Sequence, residues 1–116
     1  MTRARGTVAS RTRRRRILKL AQGYKGTRRR LYRAAKEAVW HAGQYAYMHR
    51  RVRKRDFRRL WISRINAASR ALGVTYSQFQ AGLKKASIDL NRRVLAEIAV
   101  LDPQAFAKIV SLAKPG

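Results

Sequence analysis

The chain has 116 residues and a formal net charge of +24, because only 5 aspartates and glutamates oppose 29 lysines and arginines. A compact state with this charge repels itself unless a polyanion neutralises it, and nucleic acid is the polyanion with the densest charge. The absence of cysteine excludes disulfides and thiolate metal sites, and the absence of an 18-residue apolar run predicts no transmembrane helix.

The positive charge is concentrated in the first half of the chain. Residues 1–60 contain 21 basic and 2 acidic residues, a net charge of +19, whereas residues 61–116 contain 8 and 3, a net charge of +5. This asymmetry predicts a binding arm followed by a small folded domain. The basic character continues far beyond the first twenty residues, which contain no apolar h-region, so a targeting peptide is not expected.

The first segment, residues 1–16, has almost no apolar content and cannot bury a core. We expect it to be disordered alone and to become ordered only on a partner. Residues 17–21 then predict a short helix that ends near Gly23. A sharp turn should follow, because Gly23 and Gly26 permit a reversal of the chain.

Residues 28–72 predict one long helix, because they contain no proline and only one interior glycine, Gly43. Thr27 is the predicted N-cap, and Gly73 is the predicted residue after the C-terminus. Such a helix is roughly 65–70 Å long, whereas a compact globule of this chain length is only about 35 Å across. The helix is therefore predicted to project into a partner, and any bend is expected at Gly43.

Three parts of this helix differ in pattern. The first part has a thin stripe of small residues, which suits close approach to another backbone or to RNA. In the middle, residues 50–59 place basic side chains around about two-thirds of the helical wheel, so phosphates are expected on several sides. The last turns carry an apolar stripe that predicts a core-facing surface. The small-residue stripe is Leu31, Ala35, Ala38 and Ala42, and the apolar stripe is Phe57, Trp61, Ile65, Ala68 and Leu72.

The remaining chain predicts three short helices. The first begins with a capping box from Thr75 to Gln78, and the last begins at Asp102 with Pro103 in its first position. With the end of the long helix, they are predicted to close a small helical domain over residues 57–113. Their predicted apolar faces are Tyr76, Phe79 and Leu83, then Val94, Leu95 and Ile98, then Phe106, Ile109 and Val110.

Aromatic residues are interleaved with the arginines, which suits stacking on unpaired bases. We assign Phe57 and Trp61 to the core, because their stripe continues into the last turns of the long helix. For the other aromatics of this region, contact with RNA or with a neighbouring protein is an equally good interpretation. They are Tyr24, Tyr32, Trp40, Tyr45 and Tyr47.

No pattern in the chain indicates catalysis, a cofactor or a small-molecule substrate. His41 and His49 have no ligand-like acids nearby, so they are expected to contact phosphate or solvent and not a metal. The five acids are scattered, and Asp56 is expected to pair with a neighbouring arginine. Serines and threonines lack a base with an orienting partner, and no glycine loop cradles phosphate. We therefore predict that the protein is not an enzyme.

A central motif covers residues 54–68 and reads KRDFRRLWISRINAA. It closely resembles the signature of the bacterial and plastid ribosomal protein L20 family, from the large ribosomal subunit. Shorter stretches resemble the same family in the same order: ILKLA at 17–21, YAY at 45–47, YSQF at 76–79, GLKKA at 82–86 and VLAEIA at 94–99. The resemblance covers almost the whole chain.

The resemblance implies a protein that binds large-subunit rRNA directly, acts early in subunit assembly and takes no part in peptide-bond chemistry. It implies a basic extension and long helix that thread into RNA, and a helical globule at the subunit surface. Neighbouring large-subunit proteins are the other implied partners. The implied location is the ribosome in the cytoplasm, or in the plastid stroma for a plastid-encoded member. Some members also repress their own messenger.

We thus predict an all-α protein with a basic N-terminal extension (1–26), a long basic helix (27–56) and a small C-terminal helical globule (57–116) that includes the end of that helix. The rival functions are an architectural protein for double-stranded DNA and a module that binds an acidic protein or a membrane surface. The predicted RNA-binding residues are Arg3, Arg5, Arg11, Arg13, Arg14, Arg15, Arg16, Lys19, Tyr24, Lys25, Arg28, Arg29, Arg30, Tyr32, Arg33, His49, Arg50, Arg51, Arg53, Lys54, Arg55, Arg58, Arg59 and Arg64.

Overall fold

The computed structural model describes residues 6–114 of the chain. That part is all-α and contains no strand, as predicted, with one long helix and a helical C-terminal part. The chain divides between Arg51 and Val52 into two compact units, which we call the N-terminal unit and the C-terminal unit. The helices are α1 (Val8–Leu20), α2 (Thr27–Arg30), α3 (Tyr32–Ala71), α4 (Tyr76–Lys85), α5 (Arg92–Leu101) and α6 (Pro103–Ala113).

Helix α1 begins well before the short helix that the sequence predicted. Thr7 is its N-cap, and the side-chain oxygen of Thr7 accepts a hydrogen bond from the Ser10 backbone N–H at 3.4 Å. Residues 8–16 are thus helical in this structure, and their disorder in the absence of a partner stays a prediction. No residue of α1 is buried, so the lack of apolar side chains prevents a core but not a helix. Arginine has a high helix propensity, and α1 contains neither glycine nor proline.

The turn after α1 is present as predicted, with Gly23 at φ 88° and Gly26 at φ 60°. The predicted start of the long helix is wrong. Thr27 lies within the four-residue helix α2, and Leu31 then adopts an extended conformation (φ −87°, ψ 126°) before α3 begins. The extended conformation of Leu31 separates the four-residue helix α2 from α3, although no glycine or proline lies at this position.

Helix α3 continues through Gly43 without interruption and ends in a Schellman motif. The backbone N–H of Val74 donates to the carbonyl of Ser69 at 3.0 Å, and that of Gly73 donates to Arg70 at 3.0 Å. Gly73 has φ 76°, a left-handed conformation that glycine adopts without steric cost. The prediction that Gly73 follows the helix is confirmed.

The C-terminal unit has the larger core, built from α3, α4, α5 and α6. The rings of Phe79 and Phe106 lie 5.4 Å apart at its centre. Trp61 and Ala68 of the predicted α3 stripe pack against it. The buried hydrophobic residues are Ile65, Val74, Phe79, Leu83, Leu95, Ala96, Phe106, Val110 and Ala113.

Three residues that were predicted to face this core lie largely outside it. Phe57, Leu72 and Val94 have exposed fractions of 42%, 37% and 36%. Phe57 lies eight residues before the buried Ile65, beyond the surface that the three short helices cover, whereas Leu72 lies in the turn after α3. On α5, Ala96 is buried in place of Val94.

Side-chain caps begin each of the three C-terminal helices. The Thr75 capping box is formed as predicted, with Gln78 N–H to Thr75 Oγ1 at 3.4 Å and Thr75 N–H to Gln78 Oε1 at 3.2 Å. Asn91 caps α5, and Asp102 caps α6 with Pro103 in the first turn. Within residues 6–114, no helix is long and apolar enough to span a membrane.

Candidate nucleic-acid interface

Helix α1 presents an exposed row of arginines on a helix with no buried face. Arg13, Arg14, Arg15 and Arg16 are all exposed, and Lys19 extends the positive charge into the last turn. The guanidinium carbon of Arg14 lies 5.8 Å from the centre of the Tyr32 ring. This cation–π contact joins α1 to the start of α3 within the N-terminal unit.

The turn and α2 add a second exposed basic group. Lys25 and the arginines at 28–30 are exposed, and α2 contains no buried residue. Because Gly23 and Gly26 bend the chain here, these four cations lie on a short connection between α1 and α3. They form a compact set of donors for phosphate oxygens.

The middle of α3 is exposed on all sides. Every residue from Tyr47 to Leu60 is exposed, and seven of the ten residues at 50–59 are basic. The one acid in this stretch, Asp56, lies 4.0 Å from a guanidinium nitrogen of Arg59, which confirms its predicted pairing with an arginine. Both side chains are exposed, so the pair contributes little to stability. Six cations remain around the helix as potential phosphate ligands.

Exposed aromatic rings alternate with these cations. Trp40, Tyr45 and Tyr47 have exposed fractions of 62%, 52% and 59%, so they are not core residues. The Lys36 ammonium lies 4.5 Å from the Trp40 ring centre, and the Arg51 guanidinium lies 4.7 Å from that of Tyr47. Such pairs present flat surfaces with positive charge beside them, which suits base stacking next to a phosphate.

A row of stacked rings runs along α3, a feature that was not predicted from the sequence. The centres of His41 and Tyr45 are 6.2 Å apart, and those of Tyr45 and His49 are 6.0 Å apart, with interplanar angles of 27° and 13°. Spacing by four residues was the available signal, because side chains at i and i+4 are neighbours on a helix. In the described part of the chain, no group of three or more potential metal ligands occurs.

A groove in the N-terminal unit is the second feature that the sequence analysis missed. It has a volume of about 830 Å³ and lies between the turn after α1 and the first half of α3. Tyr24, Lys25 and Arg28 line it from the turn, and Glu37 and His41 are among the residues that line it from α3. No periodic pattern marks such a groove, because its two sides come from separate parts of the chain.

The predicted RNA-binding residues are mostly exposed on α1, the turn, α2 and α3. Tyr24 and Tyr32 are half-buried, whereas the described cations of the set and His49 are exposed. The structure brings Tyr24, Lys25 and Arg28 together at the groove, and brings Arg14 to Tyr32. Arg3 and Arg5 lie outside the described residues. The assignment of this set to RNA stays a prediction.

Comparison with known proteins identifies the family. The sequence model described as ribosomal protein L20 matches residues 3–109. A relative from Cellvibrio japonicus is 60% identical over 114 residues, which cover 98% of this chain and 96% of the relative. Relatives from Methylibium petroleiphilum and Staphylococcus carnosus are 58% and 53% identical, each over 98% of this chain and 97% of the relative.

All three relatives carry the name large ribosomal subunit protein bL20. The resemblance of the central motif is thus confirmed by matches that cover nearly the whole chain. Members are structural ribosomal proteins, so the prediction that this protein is not an enzyme is confirmed as well. This chain belongs to the ribosomal protein L20 family of the large ribosomal subunit.

Proposed function

We propose that this protein binds large-subunit rRNA directly and supports early assembly of the large subunit as a structural constituent. The observation that carries the proposal is the stretch from Tyr47 to Leu60, which is exposed on all sides and strongly basic. Such a helix is unfavourable in a protein without a partner, because like charges at i and i+4 destabilise it. RNA phosphates on several sides remove that repulsion.

Counterion release supplies the driving force for binding. Each arginine or lysine that neutralises a phosphate displaces condensed cations from the RNA, and the released ions gain entropy. The guanidinium group also matches a phosphate with two parallel N–H···O bonds, which an ammonium group cannot do. The basic side chains of α1, α2 and the middle of α3 thus bind RNA mainly through its backbone, and aromatic residues stack on unpaired bases.

The assembly role follows from the same geometry. RNA helices repel one another, so a fold that packs them closely needs cations between them. A helix with cations around about two-thirds of its circumference contacts phosphates of more than one RNA segment. The protein therefore supports assembly by neutralising segments that have to pack together.

Neighbouring ribosomal proteins are proposed as the other partners. Val100, Leu101 and Leu112, on α5 and α6, have exposed fractions of 57%, 82% and 69%, and such exposed apolar side chains suit protein contact. The proposed location is the ribosome in the bacterial cytoplasm. The relatives compared above are bacterial, and they give no support to the plastid location that the sequence analysis allowed.

The salt dependence of RNA affinity tests the proposal. We expect the logarithm of the association constant for a large-subunit rRNA transcript to fall steeply and linearly with the logarithm of salt concentration, by about 0.7–0.9 per phosphate contact. Exchange of Arg13, Arg14 and Arg15 for glutamine should reduce this slope by about two to three. A flat dependence for the unmodified protein would contradict direct phosphate binding.

A matched variant controls for total charge. Exchange of Arg70, Lys108 and Lys114 for glutamine removes the same number of charges outside the predicted set, and all three residues are exposed. It should leave the slope nearly unchanged. Equal effects of the two variants would mean that only net charge matters. Tighter binding to duplex DNA than to the transcript would favour the architectural alternative.

A further inference from the structure

The groove of the N-terminal unit has a defined chemical layout. On α3, small side chains at every fourth position leave space next to the helix backbone. A second row, displaced by three residues, carries polar and aromatic side chains. The turn after α1 supplies the opposite rim, with Tyr24, Lys25 and Arg28. The small row is Ala34, Ala38 and Ala42, and the polar and aromatic row is Glu37, His41 and Tyr45.

We infer that this groove binds one unpaired guanine nucleotide of the RNA, with the Glu37 carboxylate accepting hydrogen bonds from the Watson–Crick edge of the base. The inference rests on the proposed RNA-binding function and adds a base-specific contact to it. The other groups of the proposed interface contact phosphate or stack on any base, which carries no sequence information.

Glu37 is out of place on a surface that binds only phosphate. It is the one acid among residues 1–51, where 16 residues are basic. A carboxylate repels phosphate, and an exposed pair with a neighbouring arginine offsets this repulsion only in part. A group that accepts hydrogen bonds from a base donor removes this conflict, because base edges offer donors whereas phosphate oxygens offer none.

The Glu37 carboxylate retains the capacity to accept these bonds. Its Oε1 atom lies 3.6 Å from Arg33 Nε in an i,i+4 pair, and its side chain is 62% exposed. An ionised carboxylate has two oxygens with about four lone-pair sites. The pair with Arg33 is long and exposed to solvent, and it leaves lone pairs of the carboxylate available to a ligand.

Guanine is the base that matches a carboxylate best. Its Watson–Crick edge presents two neighbouring donors, N1–H and the N2 amino group, which face the two carboxylate oxygens. Adenine and cytosine present one amino donor beside a ring-nitrogen acceptor, and uracil presents one N–H between two carbonyl acceptors. Each of these edges places an acceptor against an acceptor-only group. Specific RNA recognition commonly targets such unpaired bases at their Watson–Crick edges.

The rest of the groove fits a nucleotide. The groove is open to solvent, and its volume of about 830 Å³ is large enough to admit a nucleotide. His41 and Tyr45 line the groove, and the row of rings to which they belong offers exposed aromatic surface beside a base. Lys25 and Arg28, both exposed, are placed to bind the attached phosphates.

The test compares two glutamate-to-glutamine exchanges in the full-length protein, measured by affinity for a large-subunit rRNA transcript. Glu97 is a matched control, because it also forms an exposed i,i+4 pair, with Arg93 at 3.1 Å. Each exchange makes the protein one charge more positive. We expect Glu97→Gln to bind equally or slightly more tightly, and Glu37→Gln to bind roughly tenfold more weakly, as for the loss of one bidentate base contact.

Kethoxal probing identifies the base, since this reagent attacks N1 and N2 of unpaired guanines. One guanine should be protected by the unmodified protein and by Glu97→Gln but reactive with Glu37→Gln, while other protections persist and show that the variant is folded. Inosine at that position, which lacks the N2 amino group, should weaken binding of the unmodified protein but not that of Glu37→Gln.

The outcomes separate this inference from the proposed function. If Glu37→Gln binds as tightly as Glu97→Gln, or if no guanine changes its reactivity, the groove does not bind guanine although rRNA binding stands. The groove likewise does not bind guanine if it is covered by a protein partner, and not by RNA, in assembled subunits. If the unmodified protein does not bind the transcript, the proposed function and this inference are both wrong.

Discussion

The two compact units differ in what maintains their structure. Among the described residues, the N-terminal unit buries only two hydrophobic residues, Ala21 and Ala35, whereas the C-terminal unit buries nine. Residues 1–51 contain 16 basic and 1 acidic residues, net +15, and residues 52–116 contain 13 and 4, net +9. The C-terminal unit is stabilised by its own core. The N-terminal unit depends on local helix formation and, in our proposal, on RNA.

The units differ in stability by more than the number of buried residues suggests, because the buried residues also differ in size. Phe79, Phe106 and Ile65 are almost fully buried in the C-terminal unit, and burial of such a side chain contributes about 1.5–3 kcal/mol. The two buried residues of the N-terminal unit are alanines, which have little surface to remove from water. The aromatic residues of that unit are exposed or half-buried, so their energetic contribution is available to a partner.

The largest effect is expected from Phe79→Ala in α4. Phe79 is fully buried against Phe106, and removal of a buried phenylalanine side chain costs about 3–5 kcal/mol. Because a domain of this size has a free energy of unfolding of only about 3–9 kcal/mol, this variant should lose most of its stability. Phe57→Ala is the control, since Phe57 is 42% exposed and lies outside the core; it should cost about 1 kcal/mol or less.

Urea unfolding followed by Trp61 fluorescence measures both variants. Trp61 packs against the core, and replacement of the exposed Trp40 by phenylalanine removes the second tryptophan signal. If Phe57→Ala lowered the free energy of unfolding as much as Phe79→Ala, the core would extend further along α3 than its burial indicates, and the contrast between the units would weaken.

A smaller but still large effect is expected from Gly82→Ala. A Cβ atom at Gly82 would overlap the backbone carbonyl oxygen of Ala113, so α4 and α6 would have to separate. Overpacking of this kind typically costs about 1–3 kcal/mol. The same exchange at Gly43 is the control, because a Cβ atom there meets nothing within 4 Å. Gly43→Ala should increase the helix content of α3, because the helix propensity of alanine is about 0.8–1 kcal/mol more favourable than that of glycine.

The stability of both variants is measured from the midpoint of urea unfolding, and their helix content from circular dichroism at 222 nm. Gly82→Ala should lower the midpoint of the Trp61 transition, and Gly43→Ala should increase the ellipticity. A stable Gly82→Ala variant would mean that the two helices do not need to approach so closely.

Much of the fold was predictable because local signals and burial agree in the C-terminal unit. The capping box at Thr75, the start at Asp102 and the turn at Gly73 each have a residue signature, and the structure contains all three. Predictions failed where the outcome depends on how far other helices cover a surface. The stripe that includes Phe57 is periodic, but periodicity does not show where the covering helices end.

The N-terminal unit was less predictable for a different reason. Low apolar content showed correctly that no residue of α1 is buried, but it does not determine whether α1 forms a helix. The break at Leu31 has no residue signature, because no glycine or proline marks it. The candidate interface was visible in charge alone, whereas the groove at Glu37 depends on how the turn approaches α3.

The smallest predicted effect tests whether the two units are independent. Thr75 and Thr7 are both N-caps whose side-chain oxygens accept a backbone N–H at 3.4 Å. Thr75→Ala should lower the free energy of unfolding of the C-terminal unit by about 1 kcal/mol, measured by the Trp61 transition. Thr7→Ala removes an equivalent bond from a helix without a core. It should speed amide hydrogen exchange in residues 8–20 and leave the Trp61 transition unchanged. A shift of that transition by Thr7→Ala would mean that α1 stabilises the C-terminal core, and the stability of this protein would then have to be assigned to the whole chain and not to one unit.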